Sequence, residues 1–72
     1  MSFAAIIAWL MANGGTIVAA GVDLTKIGTE IWKLFHGTDG TISKADFNVF
    51  VDKMLGDKAE LLALIEEAKS QL

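Results

Sequence analysis

The side chains able to do covalent or acid–base chemistry are few. His36 is the single histidine, cysteine is absent, and the serines are Ser2, Ser43 and Ser70. A nucleophile needs a general base within hydrogen-bond reach. Ser2 sits at one end of the sequence, Ser43 where a helix should begin and Ser70 near the other end, so none pairs with His36. Asp39 and Asp46 are an acid–base pair in principle, although each also fits a turn or a helix cap. One histidine without cysteine builds neither a zinc site nor a disulfide. The glycines of Asn13-Gly14-Gly15 lack the Gly-Lys-Ser/Thr that cradles a phosphate. These residues predict no enzyme, no cofactor and no small-molecule substrate.

The richest polar segment is residues 34–47, LFHGTDGTISKADF. Asp39-Gly40 stands as the fifth and sixth positions of a calcium loop. Ile42 stands as the apolar eighth, Ser43 as the ninth, Asp46 as the twelfth and Phe47 as the aromatic that follows. With a helical pattern on either side, residues 24–55 resemble an EF-hand. That family binds calcium through about six to eight oxygens, with leading carboxylates and a closing bidentate Glu. The loop here is one residue short. His36 and either Gly37 or Thr38 stand where the leading acids belong, and Asp46 reaches less far than Glu. Asp39, Asp46, Ser43 and backbone carbonyls are too few ligands for tight calcium binding. The resemblance implies a metal-free helix–loop–helix, with Asp39 and Asp46 the only metal candidates.

Charge narrows the partners. Six lysines against nine acidic residues give a net charge of −3, with no arginine. Nucleic-acid binding needs a basic footprint to displace phosphate counterions. Lys26, Lys33, Lys44, Lys53, Lys58 and Lys69 are instead scattered among acids, so no nucleic-acid partner is expected.

Residues of these types must be positioned by helices, because apolar residues recur with helical spacing and no strand pattern competes beyond the short 16–22 run. Proline is absent, so glycines and caps supply the punctuation. Residues 24–35 place Leu24, Ile27, Ile31, Leu34 and Phe35 on one face, with Asp23 as N-cap. Residues 44–55 follow Ser43 as N-cap, with Asp46 three residues on resembling a capping box in which Asp replaces Glu, and stripe Phe47, Phe50, Val51, Met54 and Leu55. Gly56 should end that helix. Residues 58–72 follow Asp57 as cap, with Glu60 completing a second capping-box pattern, and place Leu61, Leu62, Leu64, Ile65, Ala68 and Leu72 inward and Glu66, Glu67, Lys69 and Gln71 outward.

The first 22 residues are different. Residues 3–22 carry no charge, hydrophobic residues make up 53% of the chain, and the mean hydropathy is positive. A helix apolar on every side is buried in protein or in lipid, and about 20 such residues span a bilayer. Three readings stay open: one transmembrane helix; a helical hairpin turning at Asn13-Gly14-Gly15, dipping into lipid or packed in an oligomer; or a signal peptide ending near Val18-Ala19-Ala20, which lacks a basic leading region. Gly14, Gly21 and Gly28 recur every seven residues and would share a stripe on a continuous helix. Ala8/Ala12, Gly15/Ala19, Gly21/Thr25 and Thr25/Thr29 are further small pairs that allow close helix approach. Trp9 and Trp32 are either membrane-interface markers or bundle anchors.

The expected fold is all-α: an apolar N-terminal helix or hairpin over residues 1–22, then three amphipathic helices forming a small unit over 23–72. A chain this short has a marginal core and needs an added source of stability, which points to self-association, another protein or membrane lipid. The expected contact residues are Phe3, Ile6, Ile7, Trp9, Leu10, Gly14, Gly21 and Gly28. In layout the chain is similar to small phage membrane proteins, both holin-like pore formers and virion membrane components, which implies a membrane or virion location; a cytoplasmic self-associating adaptor and a calcium-responsive module are the alternatives.

Overall fold

Ser2 starts the first helix in the computed structural model. Its hydroxyl accepts from the backbone N–H of Ala5 at 3.1 Å, and α1 runs from there over Phe3–Ala19. The structure describes residues 1–71; Leu72, expected on the last helix's apolar face, and the side chain of Gln71 lie outside the described residues. α1 passes straight through Asn13-Gly14-Gly15, so the expected hairpin turn is not formed. The Asn13 amide donates to the carbonyl of Trp9, one turn back, at 2.9 Å, and so serves the helix. Two glycines cost about 2 kcal/mol of helix propensity relative to Ala. Ile6, Trp9 and Ile17, buried on either side of them, more than offset that.

The helix stops at Ala19 rather than continuing to residue 22. Gly21 adopts φ +89°, a left-handed conformation that glycine takes without a Cβ clash, and the chain reverses into α2 (Leu24–Phe35). The 17 residues of α1 reach about 26 Å, short of a hydrocarbon core of about 30 Å. Among the described residues no helix is long and apolar enough to cross a membrane. The transmembrane helix expected over residues 3–22 is therefore replaced by a shorter helix with one buried side.

Asp23 caps α2, accepting from Thr25 N–H at 2.9 Å. Ser43 caps α3 (Lys44–Leu55), accepting from Asp46 N–H at 3.1 Å, and Asp46 puts negative charge in the first turn where the helix dipole favours it. Gly56 ends α3 in right-handed geometry; a Cβ there would run into the carbonyl of Asp52, which is why a side chain is excluded. The expected cap at Asp57 with Glu60 does not form. A 3-10 turn, Ala59–Leu61, intervenes with Lys58 in the capping place and no side-chain hydrogen bond, and α4 covers Leu62–Gln71. The tighter turn carries Leu61 into the core, where it is 1% exposed.

The fold is all-α, with an isolated bridge between Ser2 and Thr41 as the sole extended pairing among the described residues. Ile6, Trp9 and Ile17 of α1 join Ile27, Ile31, Phe47, Phe50, Val51, Leu55, Leu61, Leu64, Ile65 and Ala68 in a single core. Trp9 meets Phe47 edge-on, ring centroids 5.8 Å apart, a favoured aromatic geometry. The amphipathic expectations hold for the most buried positions. Leu24 and Leu62 are the exceptions, 36% and 58% exposed. A radius of gyration of 11.3 Å equals the value of about 11 Å for a compact chain of this length, so α1 folds back onto the rest.

Candidate docking surface

The loop between α2 and α3 is stitched by its own residues. The Thr38 hydroxyl donates to the Phe35 carbonyl at 2.8 Å and accepts from Gly40 N–H at 3.2 Å. Asp39 Oδ1 accepts from the Thr41 hydroxyl at 2.6 Å and from Thr41 N–H at 3.1 Å. The Thr41 hydroxyl first, and its N–H second, hold the exposed Asp39 carboxyl below its ordinary value of 3.8. The chain's first residues then close the loop. Met1 nitrogen donates to the Ile42 carbonyl at 2.6 Å, Ile42 N–H to Met1 at 2.8 Å and Phe3 N–H to Gly40 at 2.9 Å.

Asp46 faces elsewhere, lining a shallow pocket with Glu30, Leu34, Val49, Phe50 and Lys53. Glu30 there reaches Lys53 at 3.4 Å and Lys33 at 3.7 Å. Among the described residues no three His, Cys, Asp or Glu side chains gather as metal ligands. His36 caps α2, its N–H donating to Lys33 at 3.3 Å, and its ring stacks on the exposed Trp32 at 4.9 Å. Among the described residues, Trp9 Nε1 and Asn48 Oδ1 are buried without a hydrogen-bond partner.

The contact residues expected from sequence divide between inside and outside. Ile6 and Trp9 are core, and Gly14 is buried, its missing side chain facing Leu24 Cδ1 at 3.6 Å. Ile7 and Leu10 are half-buried against the core. Phe3 is 44% exposed and meets Phe35 edge-on at 5.2 Å. Gly21 forms the α1–α2 turn, and Gly28 lies exposed on α2. The break at residues 20–23 puts Gly14 and Gly28 on different helices, so the expected seven-residue glycine stripe does not exist as one face. The Gly21/Thr25 pair is likewise divided by the turn.

A different set of residues makes up the outer face of α1. Ala4, Ala8, Met11, Gly15 and Val18 all point to solvent, with Met11 78% and Val18 52% exposed. Their spacing alternates four and three, the period of a helix–helix seam. Beside the seam runs an open apolar groove of about 520 Å³ lined by Leu10, Met11, Gly14, Gly15, Val18 and Leu24. Gly15 forms the middle of this surface, and nothing lies within 4 Å of where its Cβ would be. In sequence the seam was masked, because α1 is apolar all round and only the packing of α2 and α3 reveals which side is left out. The uncharged stretch was the one available signal.

No protein family, curated protein or solved structure matches the chain.

Proposed function

We propose that this protein is a non-enzymatic, self-associating assembly module whose docking surface is the outer face of α1, built to receive a second copy of the chain. The observation that supports it is the exposure of a continuous uncharged seam on a helix whose opposite side forms the core. A soluble monomer rarely leaves a contiguous apolar patch of this kind uncovered. Gly15 adds to the case. Its place in mid-helix costs about 1 kcal/mol relative to Ala, and no contact within the chain uses the missing side chain.

The chemistry elsewhere supports the same reading. His36 is engaged with Trp32, and Ser2 and Ser43 are engaged as caps. A pore-forming or virion-membrane role would require Ile6, Trp9 and Ile17 to leave the core before α1 enters lipid, since all three are under a tenth exposed. Lying flat on a membrane surface is favoured by lysines beside the apolar face, and α1 has none.

Sedimentation of the chain in buffer, alone and with phosphatidylcholine vesicles, tests the proposal. Association in buffer that Gly15→Lys abolishes while helix content is kept supports it. A chain that stays monomeric in buffer overturns it, whether or not it adsorbs to the vesicles.

A further inference from the structure

The seam has a shape that fits its own reverse. Reading along α1, its outward side chains run small, small, large, absent, medium: Ala4, Ala8, Met11, Gly15, Val18. If two copies met in parallel, Met11 would face Met11 and Gly15 would face Gly15, a knob on a knob and a hole on a hole. Turned antiparallel about an axis near residue 13, the sizes interlock. Met11 of one copy lies opposite Gly15 of the second, and Val18 opposite Ala8. Helix pairs gain from such knobs in holes, and core packing penalises both voids and overlap.

We infer that two copies of this chain pair antiparallel through α1, each seating its Met11 in the groove around Gly14 and Gly15 of the other. The pairing rests on the docking role proposed for this face. Three observations carry it. Met11 is the most exposed large apolar residue of α1, at 78%. The groove that would receive it has apolar walls in Leu10, Val18 and Leu24 and lies beside Met11 itself, so a two-fold axis fills both grooves at once, as a self-complementary interface requires.

Charge is the third. Each copy carries a net charge of −3, with every charged side chain at or beyond Asp23. The α1 faces therefore meet without opposing like charges. Antiparallel helices also set each positive N-terminal end beside a negative C-terminal end, unopposed here because α1 has no charged residue in either terminal turn. A small interface of about 600 Å² per copy, at the low end for specific association, would cover about a seventh of the 4286 Å² surface.

The chain has no cysteine, so introduced ones report without background. Ala8→Cys and Val18→Cys are made separately, both at exposed sites, and oxidised gently alone and mixed. The antiparallel pair predicts a mixed disulfide dimer in large excess over either self-dimer. Self-dimers of Ala8→Cys at equal or greater yield would overturn the pairing. Met11→Ala should weaken association about a hundredfold or more, because the pair loses two buried methionine side chains, one from each copy, and unchanged association would also overturn it. Sedimentation of the unmodified chain separates the two proposals: a monomer removes the docking role itself, whereas an oligomer with the wrong disulfides removes the antiparallel pairing alone.

Discussion

Gly15 and Asp39 show how single residues here serve different ends. At Gly15 a methyl group would meet open space. Gly15→Ala should therefore stabilise the isolated chain by about 1 kcal/mol through helix propensity. In a domain of this size that raises Tm by roughly 4–8 °C, measured by circular dichroism at dilute concentration. No gain would mean that the helix is distorted there. Asp39 acts through charge. Its carboxyl is held below the ordinary value of 3.8 by the Thr41 hydroxyl and N–H. The unfolded chain thus binds a proton before the folded one does, and linkage gives the sign. The contribution is present above pH 3.8 and is lost as the pH falls through the lower folded value. Asp39→Asn should flatten that part of the acid limb, read by amide exchange in residues 38–42. An unaltered acid profile would remove the hydrogen bonds from Thr41 as the cause. Both residues were visible in the sequence, but only Asp39 announced its role, because a turn carboxylate acts on near neighbours. Gly15 acts through what it leaves empty, and emptiness depends on packing.

Elements were legible wherever one face was apolar and the other charged. α2 and α3 start at Asp23 and Ser43 as their caps dictate, and their central stripes are buried. The failures came where local signals competed. Asn-Gly-Gly reads as a turn, yet the Asn13 amide bonds to Trp9 and burial on both sides keeps the helix whole. The stop came instead at Gly21, whose positive φ no composition reveals. Gly21→Val should strain that reversal and destabilise the chain by about 1–2 kcal/mol, so a loss of assembly in a bulky Gly21 variant would report on the turn before it reported on any interface. An unchanged Tm for Gly21→Val would show that the turn has an alternative path. The α2–α3 loop carries its own prediction. Thr38, Asp39, Met1 and Phe3 already hold the backbone of Gly40, Thr41 and Ile42 in place. Calcium at about 1 mM, the range of weak calcium modules, should leave Tm unchanged. A rise that Asp39→Ala cancels would restore the calcium-responsive reading of the EF-hand resemblance.

The whole molecule rests on one core to which α1, α2, α3 and α4 all contribute, and that has a consequence for how it unfolds. A chain of 72 residues has about 4–11 kcal/mol of stability to lose. Ile6 is fully buried, and Ile6→Ala should cost about 2–5 kcal/mol, enough to unfold a large fraction at moderate temperature. The loss should appear at once in the α1 helix signal and in the α3–α4 packing, because the described residues share this one core. Separate transitions would instead divide residues 1–22 from 23–72. The same smallness argues for association. A ligand that binds only the folded state adds stability by mass action, and a second copy is such a ligand. If α1 pairs as inferred, Tm should climb with protein concentration in the native chain and stay flat in Gly15→Lys, whose added charge would be buried in the seam. A native Tm independent of concentration over about two decades would mean that the outer face of α1 contributes nothing to the folded state, and the exposed Met11 and Val18 would then be a cost that the core alone bears.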